Sequence, residues 1–173
     1  MHCKDKKKYL FFVVEMAVAA VLVLVDQLIK SAVVKTLKGQ SDIVIIKNFL
    51  GLTYAENTGA AFSSFSESTT MLSIVTLILL IGFAIYMFLG KLNGKIKNVC
   101  AVCIISGGTG NLIDRFKQGF VVDYIETLFV DFPVFNFADM LVVCGVIVLC
   151  AVLIYEIVAE EKQKKQENNN GNS

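Results

Sequence analysis

Long apolar runs restrict what this chain can fold into more than any other feature. Four stretches carry almost no charge, and they cover residues 9–25, 71–89, 98–113 and 140–155. Each is close to the roughly 17–25 residues that a helix needs to cross a bilayer, the third and fourth with help from their flanks. Because backbone groups in lipid must be hydrogen-bonded within their own segment, all four are predicted to be helices. The sequence therefore predicts an α-helical membrane protein with four transmembrane helices.

Composition agrees with this prediction and narrows the chemistry. Hydrophobic residues make up 55% of the chain and charged residues 18%, against about 45–50% and about 25% in soluble domains. The net charge of +1 offers no basic face for nucleic acid. The single histidine, His2, lies in the charged leader, which argues against a Ser-His-Asp triad and an H-E-x-x-H zinc site. Any hydrolysis is therefore expected to use carboxylates, or Ser with Lys, without a metal or cofactor.

Lysines predict the orientation. They cluster in the leader, between the second and third runs (Lys91, Lys95 and Lys97) and after the fourth run. The positive-inside rule places these segments, and hence both termini, in the cytoplasm. The first run is longer than the roughly 7–15 residues of a signal peptide and lacks a small-residue cleavage site, so we expect a retained helix. The longer loops, residues 31–70 and 114–135, then lie outside.

The domain organisation follows from the same pattern. We predict one membrane-embedded domain over residues 1–158 and a disordered cytoplasmic tail over residues 159–173, which is rich in Gln, Asn and Lys. Branched and aromatic residues dominate positions 42–54, with Gly51 among them. They predict short strands, within a small extracytoplasmic β element at about residues 36–66. An amphipathic surface helix is the alternative for this segment.

Polar residues gather at the predicted outer end of every span. Asp26 and Lys30 are four residues apart and share a helix face. Ionisable residues at this depth usually face a bundle interior or a wet cavity, and contact with lipid headgroups is the alternative. Glycines at 107, 108 and 110 indicate close helix packing. The polar residues at this boundary are Asp26, Lys30, Asn57, Asn111, Asp114, Arg115, Asn136 and Asp139.

Five segments in this order resemble the bacterial lipoprotein signal peptidases, also called signal peptidase II. They are residues 26–30 (D-Q-L-I-K), 57–63 (N-T-G-A-A-F-S), 107–115 (G-G-T-G-N-L-I-D-R), 121–125 (V-V-D-Y-I) and 135–139 (F-N-F-A-D). The resemblance implies an aspartic endopeptidase of the bacterial cytoplasmic membrane. Such enzymes remove the signal peptide of prolipoproteins immediately before a diacylglyceryl-modified cysteine.

The resemblance also implies roles for particular residues. Asp123 and Asp139 would form the catalytic pair near the outer leaflet. The supporting residues would be Asp26, Lys30, Asn57, Gly107, Asn111, Arg115 and Asn136. The implied fold has four transmembrane helices, a small extracytoplasmic β-cradle and a short surface helix, here at residues 126–132. The implied partners are the diacylglyceryl-prolipoprotein and membrane lipid, with the enzyme a monomer. Met140 and Thr109 depart from the usual family residues, outside the catalytic pair.

Three other functions are compatible with parts of the pattern. A small transporter or channel would also have intramembrane Asp and Lys residues, although no internal repeat supports it. A non-catalytic scaffold would use the glycine-rich third span. A Ser-Lys peptidase would use Ser63 and Lys30. The scaffold leaves the two outer aspartates, Asp123 and Asp139, without a role.

Overall fold

The computed structural model describes residues 3–59, 69–90, 92 and 94–171. Its elements are, in chain order, α1 (Cys3–Leu37), β1 (Ile43–Ile46), β2 (Leu50–Asn57), α2 (Thr69–Phe88), α3 (Lys95–Gln118), β3 (Val121–Thr127) and α4 (Phe137–Gly171). All four helices are long and apolar enough to cross a membrane. The predicted transmembrane helices are therefore confirmed.

Helix α3 occupies the centre of the bundle. It packs against α1, α2 and α4, and 44% of its most apolar stretch is buried, against 6–11% for the other three. Outward-facing positions of those three helices carry large exposed side chains such as Val21, Leu79 and Ile147. Lipid can solvate these apolar side chains, so the buried polar residues of the protein collect on and around α3.

A three-stranded antiparallel sheet lies beside the ends of the helices, with strand order β1-β2-β3. The strands predicted within residues 42–54 are present, and the surface-helix alternative for that segment is wrong. The third strand was not predicted: β3 pairs along β2, with Ala55 opposite Asp123 and Asn57 opposite Val121. Gly119, at φ 82°, ends α3, and its N–H donates to the Arg115 carbonyl. This left-handed cap turns the chain from α3 into β3 within two residues.

The surface helix expected at residues 126–132 is absent. Glu126 and Thr127 belong to β3 and pair with β2, and the Leu128 N–H donates to the Phe49 carbonyl at 3.0 Å. Phe129 stacks on Phe49 with 5.0 Å between ring centroids. Pairing with the sheet takes the backbone groups that a helix would need, so this segment continues the sheet instead.

Two helix ends also differ from prediction. The first outer loop was expected from residue 31, but α1 continues to Leu37 because Val33 and Leu37 pack with Val122 and Tyr124 of β3. The tail was predicted to be disordered from residue 159, whereas α4 continues through Gly171. The Glu, Lys and Gln residues of this tail are good helix formers, and adding turns to an existing helix avoids the cost of nucleation.

Candidate active site

The amino-terminal end of α4 contains two of the predicted site residues. Helix α4 begins at Phe137, so Asn136 stands at its N-cap. The Asn136 side-chain oxygen accepts the Asp139 N–H at 2.9 Å, and the Asp139 carboxylate accepts the Asn136 N–H at 3.0 Å. This reciprocal pair is a capping box, which satisfies two N–H groups that have no partner within the helix. The sequence F-N-F-A-D thereby fixes the Asp139 side chain against its own backbone.

The other predicted catalytic aspartate lies on β3. Asp123 is 2% exposed, and both of its carboxylate oxygens accept hydrogen bonds. Asn136 donates to one oxygen at 2.6 Å, and Asn57 donates to the other at 2.8 Å. Burial raises the pKa of Asp123 to about 6, opposed by the hydrogen bond from Asn57 and reinforced by the charge of Asp139. The Asn136 amide thus contacts both aspartates.

Helix α3 supplies the next contact. The Asn111 amide donates to the second oxygen of Asp139 at 2.7 Å. Its own oxygen accepts from the Lys30 ammonium at 2.8 Å and from Asn136 at 3.1 Å. Asn111 therefore links the lysine of α1 to the aspartate of α4.

A buried ion cluster joins α1 to α3 behind these amides. The Lys30 ammonium lies 3.0 Å from Asp26 and 2.8 Å from Asp114, and all three side chains are buried. Gln27 donates to Asp114 at 2.8 Å, and Asp114 accepts the Val122 N–H of β3 at 3.3 Å. Since buried charges are costly without partners, this cluster is expected to hold the two helices and the strand in fixed relation. Asp26 pairs with Lys30 rather than with either candidate catalytic aspartate, and it braces the bundle.

Two residues of this cluster, Asp114 and Gln27, were not among the predicted site residues. A third addition is Tyr124, whose hydroxyl accepts the Phe137 N–H at 3.2 Å and so helps to fix the start of α4. Burial raises the pKa of Tyr124 to about 12. The sequence offered a local indication of both: Asp114 stands three residues after Asn111 on the same helix, and Gln27 lies between Asp26 and Lys30.

Arg115 holds the chain that follows β2. Its guanidinium donates to the Gly59 carbonyl at 3.1 Å, and the Gly59 N–H donates to the Asn57 side chain at 3.0 Å. These bonds keep residues 57–59 beside Asp123. Positions 60–63 of the N-T-G-A-A-F-S motif, including the Ser63 of the Ser-Lys alternative, lie outside the described residues.

Glycines allow the helices that position the site to approach closely. A Cβ atom on Gly107 would collide with the backbone carbonyl of Ala138, in the first turn of α4. A Cβ on Gly110 would lie 2.5 Å from the Asp26 carboxylate. Both glycines are therefore needed for the close approach of α3 to its neighbours.

Four of the predicted site residues line one cavity of about 360 Å³. Its polar end carries Asp123, Asp139, Asn57 and Arg115. Its apolar walls come from the segment before α4 and from the exposed first turns of α4. The wall residues are Phe132, Pro133, Val134, Phe135, Met140, Val143 and Cys144. The structure thus brings all nine predicted site residues into one connected group.

Known proteins share this sequence and fold. A family model described as signal peptidase (SPase) II matches residues 18–155. A lipoprotein signal peptidase of Clostridium acetobutylicum is 42% identical over 81% of this chain and 93% of its own length. One from Clostridium tetani is 38% identical over 86% and 97%. One from Streptococcus pneumoniae is 38% identical over 81% and 94%.

Solved structures agree with this result. A bacterial membrane enzyme determined by the in meso method at 2.3 Å resolution superposes with a TM-score of 0.75. It is 30% identical in sequence, with 83% of this chain and 89% of that one covered. A second, at 1.9 Å resolution, gives a TM-score of 0.73 at 32% identity, over 81% and 92% of the two chains. On this evidence, the chain belongs to the signal peptidase II family of bacterial membrane peptidases.

Proposed function

We propose that this protein is an aspartic endopeptidase that cleaves the signal peptide of prolipoproteins immediately before the diacylglyceryl-modified cysteine. Its relatives are named lipoprotein signal peptidases. The observation that carries the proposal is that Asn136 donates to both carboxyl groups at the polar end of one cavity. Its side-chain amide donates to Asp123, and its backbone N–H donates to Asp139. Two carboxyl groups held by donors from one residue have the arrangement needed for acid–base hydrolysis of a peptide bond.

The chemistry follows from placing two carboxyl groups together. Two carboxylates about 3 Å apart do not both ionise easily, so they share one proton. The ionised group takes a proton from water, which attacks the scissile carbonyl, while the protonated group hydrogen-bonds the carbonyl oxygen. The tetrahedral intermediate then breaks its C–N bond as a proton passes to the leaving amine. No metal or cofactor takes part in this proposed route.

The supporting residues hold this pair in place. Asn111, Asn136 and Asn57 donate hydrogen bonds to the carboxylates. Lys30, paired with Asp26, donates to Asn111. The lack of a side chain at Gly107 lets the first turn of α4 approach α3. Arg115, whose Nε–H has no described partner within the protein, can donate to a substrate carbonyl or ester oxygen.

The location of the site matches a lipid-anchored substrate. The acyl chains of a diacylglyceryl cysteine lie in the hydrocarbon, so the bond before it lies near the membrane interface. A pair on β3 and the first turn of α4 would reach that depth, with both termini in the cytoplasm. We infer a monomer, one membrane-embedded domain over residues 1–158, contact with membrane lipid and residence in the bacterial cytoplasmic membrane.

The test uses purified protein with a synthetic diacylglyceryl-cysteine peptide and its unlipidated counterpart. We expect cleavage of the lipidated peptide alone. Asp123→Asn and Asp139→Asn should each lower the rate by about 10²–10⁴-fold or more, since each removes one acid–base group. Asp131→Asn provides the matched control, because Asp131 is an exposed outer aspartate that does not line the cavity.

Either outcome at the aspartates is informative. Near-normal turnover in one of the two variants would remove that aspartate from the pair. Normal turnover in both would contradict an aspartic mechanism and favour the Ser63 and Lys30 alternative, which Lys30→Met and Ser63→Ala then test directly.

A further inference from the structure

We propose that the two aspartates have different fixed roles, with Asp139 the ionised base and Asp123 the proton-bearing acid of the resting enzyme. This assignment rests on the proposed function, which requires the pair but not a particular distribution of the proton. Each carboxyl group accepts two hydrogen bonds, but Asp139 lies at the start of a helix and Asp123 lies within a strand. The assignment follows from this difference.

Asp139 lies in the first turn of a long helix. Its carboxylate accepts the backbone N–H of Asn136 at the helix start. Helix amino-termini carry partial positive charge, because their first N–H groups lack partners and the peptide dipoles add along the axis. Negative charge on Asp139 is therefore stabilised by its own helix, and protonation would lose that interaction.

The second hydrogen bond to the Asp139 carboxylate can come only from the nitrogen of the Asn111 side chain. Asn111 could in principle present either its oxygen or its nitrogen to Asp139. The Lys30 ammonium has no acceptor, so the atom that contacts it at 2.8 Å must be the Asn111 oxygen. The Asn111 nitrogen must then face Asp139, where it lies 2.7 Å from the carboxylate. The Asn111 side chain thus links the buried Lys30 ammonium to the Asp139 carboxylate.

Asp123 lacks both of these features. It lies within a strand, which has little net dipole, and it is 2% exposed. Its two hydrogen bonds come from the neutral side-chain amides of Asn136 and Asn57. Burial raises the pKa of Asp123 to about 6, and the charge of Asp139 adds to this effect. The proton is therefore retained more easily on the strand residue than at the helix end.

Other charged groups face the pair from α1 and α3. Arg115 interacts with Asp123, Asp139 and Asp114, and Lys30 favours the ionised form of Asp123. Because Arg115 acts on both aspartates, it does not decide between them. Lys30 is already neutralised by Asp26 and Asp114 at 3.0 and 2.8 Å. The helix end and the Asn111 donor are therefore the features that distinguish the two carboxyl groups. Tyr124, also near the pair, stays neutral because burial raises its pKa to about 12.

The assignment defines each proton transfer. Asp139 takes a proton from water as the water oxygen bonds to the scissile carbon, and Asp123 gives its proton to the carbonyl oxygen. In the second step, Asp139 gives its proton to the departing nitrogen as the C–N bond breaks. The diol returns one proton to Asp123 as the new carbonyl forms. Water is consumed, an acid and an amine are released, and the resting distribution is restored.

The experiment measures protonated carboxyl groups by infrared difference spectroscopy at about pH 5.5, which is below the pKa of about 6 of Asp123. The samples are Asp139→Asn and Asp123→Asn, with the double variant as the reference that subtracts all other carboxyl groups. We expect a protonated carboxyl band in Asp139→Asn, which still contains Asp123, and its loss on raising the pH to about 7.5. The Asp123→Asn sample should show no such band at the same pH.

A band in Asp123→Asn alone, or equal bands in both samples, would overturn the assignment. Thermal unfolding of each sample identifies a misfolded variant. Cleavage assays separate the two proposals. If both single variants lose activity and the infrared bands are reversed, only the assignment is contradicted. Retained activity in both contradicts the proposed function itself.

Discussion

Asn136 carries two tasks that no other residue type could combine at this position. Its side-chain oxygen caps α4 by accepting the Asp139 N–H, and its nitrogen donates to Asp123 and to Asn111. Serine could cap the helix but lacks the paired donors, and aspartate could cap it but has no donor when ionised. An amide at the N-cap therefore joins helix formation to the geometry of the site.

Substitution of Asn136 should separate these two tasks. Asn136→Ser retains a capping oxygen, so we expect it to be more stable than Asn136→Ala by about 1 kcal/mol. Both variants should lose most of their peptidase activity, because neither can donate to Asp123 as the amide does. Thermal unfolding in detergent and cleavage of a lipidated peptide measure the two effects. Normal activity in Asn136→Ser would show that capping is the only role of this residue.

The raised pKa of Asp123 has a consequence for stability. A group whose pKa is higher in the folded than in the unfolded state contributes stability below its unfolded pKa. That contribution is lost as the pH rises through the folded value. The rise in the pKa of Asp123 from 3.8 to about 6 corresponds to at most about 3 kcal/mol in the free energy of unfolding. The protein should therefore become less stable between about pH 4 and about pH 7 through this residue.

Thermal unfolding of the wild type and of Asp123→Asn at these two pH values checks this prediction. We expect the loss of stability with rising pH to be smaller in the variant, whatever its absolute stability. Parallel pH dependences in the two proteins would show that burial does not raise this pKa.

At the scale of elements, the site depends on how closely α3 approaches α4. The backbone of α4 at Ala138 occupies the space that a side chain on Gly107 would need, and Val142 lies beside it. On the α2 side, a Cβ on Gly108 would instead meet the Leu80 side chain, at 2.7 Å from Cδ2. The first obstacle is rigid backbone and the second is the end of a flexible side chain.

This difference predicts unequal effects of two neighbouring alanine substitutions. Gly107→Ala should displace the first turn of α4 and with it Asp139, so activity should fall by about 10²-fold, as for other small misplacements of catalytic groups. Gly108→Ala is the matched control, and we expect it to retain most activity because Leu80 can change its rotamer. Cleavage rates of both variants measure the effect, and thermal unfolding checks that both fold. Equal activities would contradict the packing explanation.

At the scale of the whole molecule, the site depends on the central position of α3. Helix α3 packs against α1, α2 and α4, and Asn111 near its C-terminal end contacts Lys30 of α1 and Asp139 of α4. The sheet adds Asp123 and Asn57 from two strands that are distant in sequence. The remaining surfaces of α1, α2 and α4 are apolar, as lipid contact requires.

The distribution of lysines predicts how this molecule is oriented. A protease-cleavable tag placed after residue 173 should be cut in inside-out vesicles and protected in right-side-out vesicles, because the lysine-rich segments stay in the cytoplasm. A second tag in the loop at residues 42–49 should give the opposite pattern. Immunoblots of both preparations measure the result. Cleavage of the terminal tag from the outside would reverse the topology and place the site at the inner leaflet.

What the sequence by itself determined were the four spans and the identity of the polar residues at their ends. Both are properties of single segments: an apolar helix satisfies its own backbone and is solvated by lipid wherever its neighbours lie. Motif resemblance added Asp123 and Asp139, although neither periodicity nor spacing could relate two residues on a strand and a helix.

Only the tertiary structure decided which groups meet. The pairing of β2 with β3, the absence of the surface helix at residues 126–132 and the extension of α1 to Leu37 each depend on contacts between distant segments. The same holds for Asp114, whose partners Lys30, Gln27 and Val122 come from two other elements. Strand pairing and the partners of a buried charge are set by what the fold brings alongside, and local sequence does not contain that information.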